Sequence, residues 1–187
     1  MPELAEVEFY RKRWHYAAAG QRVTRVRAHP AKKTFREAPA ASIRRGLVDA
    51  KLIASEAAAK QMAFRFDNGA WLGVHLGMTG QLTAVPLGTV PGKHDHLVLD
   101  METTSLVFTD PRMCGGMRFH AGPDAPEWWT RIAPSLLSNA FDLGVLEIFL
   151  QRRARAPIKA VLLMQDRFPG IGNWMADEIL WRAQIHP

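Results

Sequence analysis

Apolar residues recur at Val7, Tyr10, Trp14 and Ala18, with Gly20 just beyond them where a C-terminal cap would fall, and this spacing predicts an amphipathic helix over 5–19. From residue 22 to about 119 the pattern breaks into short runs that predict strands over 22–28, 51–55, 61–66, 70–75, 81–85, 96–101 and 106–109. Asp67-Asn68-Gly69 separates two of these runs, and Asn and Gly tolerate the positive φ that a tight hairpin turn requires. This half reads as a β-sandwich or barrel. Pro123, Pro126 and Pro134 punctuate a change of character, after which 142–151, 158–165 and 174–184 read as helices. The boundary falls near 125–134, so we divide the chain into a domain over 1–130 and a helical one over 131–187. No internal repeat is visible.

With 187 residues, 48% of them hydrophobic and 22% charged, the chain has the make-up of a globular protein of one domain or two small ones. Charge narrows the expected partners. The formal net charge is +6, and 17 of the 24 basic residues are arginines, whose planar guanidinium suits phosphate or carboxylate. The excess is uneven: 13 basic and 6 acidic residues lie in 1–60, 5 and 9 in 61–150, and 6 and 3 in 151–187. A polyanionic partner is one reading and a solvated arginine surface the other. One cysteine excludes an internal disulfide, and also a zinc site of four cysteines or of two cysteines and two histidines. The first eight residues carry three glutamates and no basic n-region. No apolar run approaches the roughly 18 residues a membrane span needs. The expected setting is the cytoplasm, with nucleoid association in a bacterium and no membrane.

Met1-Pro2-Glu3-Leu4-Ala5-Glu6 holds candidate chemistry. Removal of Met1 would expose the secondary amine of Pro2, and an α-amine titrates at about 7.7–8.0, leaving a useful nucleophilic fraction at neutral pH. Such an amine can attack a sugar C1′ and form an iminium. Glu3 could move protons, and Glu6, one turn on, could hold a sugar or a water. A proline and acids at a helix start are also ordinary capping chemistry. Lys60, after three alanines, reads either as an amine with a lowered pKa or as a solvated strand-end lysine. His94 and His96 fall on one strand face, as two metal ligands would, but without a third; a phosphate contact from His94 is the better reading and no metal is expected. Met78, between Gly77 and Gly80, is a core residue or an exposed apolar knob, Arg112 a base reader or a surface charge, and Cys114 a small buried hydrophobe. Arg167 and Gly170-Ile171-Gly172-Asn173 open the last helix, with Asn173 as its cap or its free amides as a phosphate site.

Taken in order, Met1-Pro2-Glu3-Leu4 with Glu6-Val7-Glu8, Lys60, His75 through Gly80, Lys93 through His96, Thr109 through Arg112, Pro157-Ile158-Lys159, and Gly170 through Asn173 with Ala176-Asp177-Glu178 and Ile185-His186-Pro187 resemble the formamidopyrimidine-DNA glycosylase and endonuclease VIII family of base-excision repair enzymes. Leu4, Met78 and Arg112 are more similar to the formamidopyrimidine branch. The resemblance implies an α+β fold: an N-terminal catalytic β-sandwich with an opening helix, then a helical DNA-binding domain containing a helix-two-turn-helix that here stops partway. It implies a bifunctional DNA glycosylase and AP lyase acting on oxidised purines, with Pro2 as Schiff-base nucleophile, Glu3 as proton donor, Glu6 beside them, and Lys60 assisting β-elimination. Met78 and Arg112 would enter the duplex, the arginine facing an orphaned cytosine. His94, Gly172 and Asn173 would contact phosphate, joined by Lys159 and by Arg153 and Arg155 of the cluster that includes Arg152. The partner would be damaged double-stranded DNA bound by a monomer.

Three departures bear on that reading. Cys114 stands where the branch usually has a third, aromatic wedge, and Ala5 where a proline is common. The family's C-terminal part, with an arginine at the DNA and usually a structural zinc, would lie beyond Pro187; within these residues no cofactor is implied. A retained Met1 would make the Pro2 nitrogen an amide, unable to form an imine. The alternatives are a non-catalytic protein of the same fold that binds damaged DNA, and a generic basic RNA-binding module.

Overall fold

The opening pattern folds as α1 (Leu4–Ala18) in the computed structural model of the chain, which describes residues 2–29 and 33–187. Val7, Trp14 and Ala18 are buried on one face of α1, and Gly20 follows at φ +81°. Trp14 fixes the helix: its indole N–H donates to the Thr83 carbonyl at 3.0 Å and its ring lies 5.1 Å from that of Phe64. A tryptophan buried with its one polar atom satisfied anchors strongly, and it ties α1 to the β-sheets.

Eight strands follow: β1 (Arg25–Ala28), β2 (Leu52–Ala58), β3 (Gln61–Phe66), β4 (Ala70–His75), β5 (Gln81–Pro86), β6 (Asp95–Asp100), β7 (Thr104–Thr109) and β8 (Gly116–Ala121). They form two antiparallel four-stranded sheets, ordered β1-β6-β7-β5 and β2-β3-β4-β8. Leu72, Leu82, Leu97, Phe64 and Phe108 fill the core of this β-sandwich. The Asp67-Asn68-Gly69 turn joins β3 to β4, with Gly69 at φ +83° and the Asn68 side chain accepting from the Ala70 N–H at 3.0 Å. The strand expected over 22–28 is shorter, because Arg22 makes only an isolated bridge to Lys51 and regular pairing begins at Arg25.

Several elements have no counterpart in the sequence expectations, the largest being one helix and the strand β8. Helix α2 (Ala40–Leu47) buries Ala40, Ile43 and Leu47, and strand β8 pairs with β4 from Gly116↔His75 to Ala121↔Ala70. A short α3 (Glu127–Thr130) closes the first of two compact units, Met1–Thr130 and Arg131–Pro187. The second holds α4 (Leu143–Gln151), α5 (Ile158–Leu162) and α6 (Asn173–Arg182) around Phe149, Val161, Phe168, Ile171 and Ala176. Asp142 caps α4, accepting the Gly144 N–H at 2.7 Å. The architecture is α+β. Among the described residues, no helix is long and apolar enough to cross a membrane.

Candidate active site

Glu3 is the N-cap of α1, and the Glu6 side chain reaches back to accept the Glu3 N–H at 3.0 Å, one arm of a capping box. Glu6 is therefore the residue that fixes the backbone beside Pro2. Glu3 itself is buried, at 3% exposure. Met1, on whose removal a free Pro2 amine depends, lies outside the described residues.

Lys60 sits in the turn between β2 and β3, after Ala59 at φ +55°, and is 6% exposed. Burial pushes its ammonium below the ordinary lysine range, and the nearby Glu3 carboxylate opposes that shift. Its burial thus favours the amine with a lowered pKa over the solvated strand-end lysine. At the end of β4, His75 is held below the ordinary histidine range, first by burial and then by the positive charges of Arg118 and Lys60. Its Nδ1 accepts the Gly77 N–H at 3.1 Å, so the neutral ring carries its proton on Nε2, where it can serve as a donor. Lys60 thus lies near both Glu3 and His75, at the end of the sandwich where β2 turns into β3 and β4 finishes.

Sequence reasoning gave His75 and Arg118 no role. Arg118 on β8 donates to Glu37 Oε2 at 2.6 Å and Gln61 Oε1 at 2.9 Å, and these residues border a cavity of about 240 Å3 with His75 and Cys114. His75 was visible in a motif. Arg118 was not, because only the β4·β8 register places it opposite Gly73.

Two loops close this end. Met78 is exposed at 45%, which excludes the core reading, and Arg112 is exposed as well. Gly77, at φ +63°, lies so close to the second loop that a Cβ there would stand 2.3 Å from the Cys114 carbonyl carbon. Cys114 is exposed and not the buried hydrophobe expected, because its backbone packs on Gly77 while its side chain faces out. The shared histidine face is also corrected. β6 begins at Asp95, its register shifts between Asp95 and Leu97, and His96 is buried with Nε2 2.7 Å from the Asp110 carbonyl, whereas His94 precedes the strand and is partly exposed.

In the second unit Gly172, not Asn173, is the N-cap of α6, and Asn173 is its exposed first residue. The Gln165 side chain clasps the preceding turn, donating to the Ile171 carbonyl at 2.8 Å and accepting the Gly170 N–H at 3.2 Å. Among the cations, Arg155 is exposed, the Arg153 guanidinium lies 3.8 Å from the centre of the Phe149 ring, and Lys159 pairs with Asp177 at 2.6 Å. The chain has one cysteine, and among the described residues no three His, Cys, Asp or Glu side chains group as metal ligands.

Comparison with known proteins adds to this geometry. The family descriptions "Formamidopyrimidine-DNA glycosylase N-terminal domain" and "Formamidopyrimidine-DNA glycosylase H2TH domain" match residues 1–117 and 132–187. A formamidopyrimidine-DNA glycosylase of Halorhodospira halophila is 35% identical over 189 residues, covering 100% of this chain and 69% of its own length. One of Rhodospirillum rubrum is 37% identical over 195 residues, covering 100% and 67%. The complex of Lactococcus lactis Fpg with an abasic-site-containing DNA superposes with a TM-score of 0.84 at 26% identity, over 100% of this chain and 68% of that one.

Proposed function

The chain belongs to the formamidopyrimidine-DNA glycosylase family, and from that membership we propose that it is a bifunctional DNA glycosylase and AP lyase that removes oxidised purines, 8-oxoguanine and formamidopyrimidines, from double-stranded DNA. The observation that carries this reading is the buried Glu3 beside Pro2, close enough to act on the equally buried Lys60 amine.

With Met1 removed, the Pro2 nitrogen attacks C1′ of an extruded nucleotide. The glycosidic bond breaks and the base leaves with its electron pair, taking up a proton for which Glu3 is the donor. The ring C1′–O4′ bond then opens, O4′ gains a proton and an iminium forms. Loss of a C2′ proton, assisted by Lys60, expels the 3′-phosphate and nicks the strand. A lysine with a lowered pKa is the better proton acceptor near neutral pH, because more of it is unprotonated. Met78 fills the space the extruded nucleotide leaves and Arg112 reads the base opposite. His94, Gly172, Asn173, Lys159, Arg153 and Arg155 contact the backbone, whose phosphates supply most of the salt-dependent affinity.

The test is product analysis on a duplex containing 8-oxoguanine opposite cytosine. We expect free base and a nicked strand from the Met-processed chain, and neither from Pro2→Gly. A lesion-selective gel shift with no product would leave a damage-binding protein, and equal binding to RNA would remove the lesion specificity altogether.

A further inference from the structure

Six hydrogen bonds converge on Asp110, which is fully buried, at 0% exposure. Its carboxylate Oδ1 accepts the Thr79 hydroxyl at 2.7 Å and the Arg112 N–H at 3.3 Å, and Oδ2 accepts the Gly115 N–H at 2.7 Å. Its own N–H donates to the His94 carbonyl at 3.0 Å. Its carbonyl accepts the Met113 N–H at 3.2 Å and lies 2.7 Å from His96 Nε2. One residue thus ties together the loop bearing Met78, the loop bearing Arg112 and the segment bearing His94. Of these bonds, the one from Thr79 joins the two loops side chain to side chain.

We propose that Asp110, through Thr79, is the positioning residue of the DNA-entering surface, locking the Met78 and Arg112 loops into one preformed wedge. This inference rests on the proposed function. A loop carried only by its ends samples many conformations, and each would have to be frozen when a base is displaced from the stack. Two loops clamped by a buried carboxylate enter already ordered, so the entropy of ordering is met in folding and not at the lesion. A misplacement of about 1 Å at such a site costs roughly 100-fold in rate. The Gly77 backbone against Cys114 supplies the packing, and the Thr79–Asp110 bond supplies the registration.

Thr79→Val removes the donor at nearly constant shape, Thr79→Ser keeps it, and Asp110→Asn alters the acceptor. Two substrates separate positioning from general damage: a lesion duplex, whose base must be unpaired and unstacked, and a preformed abasic-site duplex, which has no base to extrude. For Thr79→Val we expect single-turnover base release, and the fluorescence rise of a 2-aminopurine placed beside the lesion, to fall at least tenfold more than abasic-strand cleavage falls. Thr79→Ser should return both to within about threefold of the parent, the conservative hydroxyl restoring the clamp. The Tm of Thr79→Ser should stay close to the parent value, and that of Thr79→Val, which leaves a buried carboxylate short of one donor, should fall while the chain stays folded at the assay temperature. Parallel loss on the two substrates, no loss with valine, or no rescue by serine overturns the proposal while the proposed function stands. A parent chain that processes neither duplex overturns both.

Discussion

Replacing Glu3 by glutamine is expected to slow base release by roughly 100- to 10,000-fold, the range for losing a positioned general acid, with the fold kept. Glutamine preserves shape and an acceptor oxygen, so both arms of the α1 capping box are kept: the Glu3 backbone N–H still donates to the Glu6 side chain, and the residue-3 side chain can still accept the Glu6 backbone N–H. What disappears is the proton that the departing base requires. A preformed abasic site has no base to protonate, so strand cleavage there should fall far less. The substitution also removes the carboxylate that opposes the burial of Lys60, so the lysine pKa should move further below its ordinary value. Single-turnover rates on the two substrates check the first effect, and NMR titration of a labelled Lys60 ammonium checks the second. A variant within threefold of the parent on the lesion duplex would remove Glu3 from the chemistry.

Gly77→Ala should damage stability and base extrusion together. The added Cβ meets the Cys114 carbonyl carbon at 2.3 Å and the Gly115 nitrogen at 2.4 Å, both backbone atoms that no rotamer change can move. The φ of +63° is itself unfavourable for alanine. Together, overpacking and backbone strain of this kind cost roughly 2–5 kcal/mol, a Tm fall on the order of 10 °C for a unit of this size. Because Met78 follows directly, its approach to the duplex shifts as the loops part, and base release should fall more than tenfold. Calorimetry and the lesion assay read the two effects. Parent-like values in both would show that the close approach of these loops has no functional weight.

What the sequence made legible was local. α1 declared itself through residues three and four apart, the 67–69 turn through Asn-Gly chemistry, and the N-terminal candidates through adjacency in the chain. α2 escaped although Ala40, Ile43 and Leu47 have helical spacing, because Pro39 and Gly46 read as breakers. In the structure Pro39 is the N-cap, and Gly46 is where a Cβ would collide with Phe119. β8 escaped because Arg118 and His120 interrupt its apolar pattern, and with it went Arg118, whose meaning comes from pairing with β4. The face shared by His94 and His96 failed for a related reason, since simple alternation does not survive the irregularity after Asp95. Asp110 stood in plain view within a motif, yet nothing in its neighbours along the chain reveals that Thr79, 31 residues away, is its partner. Contacts across the sandwich turn a string of motifs into a site.

Borohydride trapping tests the central claim most directly. Protein whose intact mass shows that it begins at Pro2 is mixed with the 8-oxoguanine duplex and, separately, with an abasic-site duplex, and sodium borohydride is added. A covalent protein–DNA adduct should form with both, and peptide mapping should place the reduced linkage on the Pro2 nitrogen. No adduct with either duplex, or an adduct on a lysine with the Pro2 amine still free, would contradict the account.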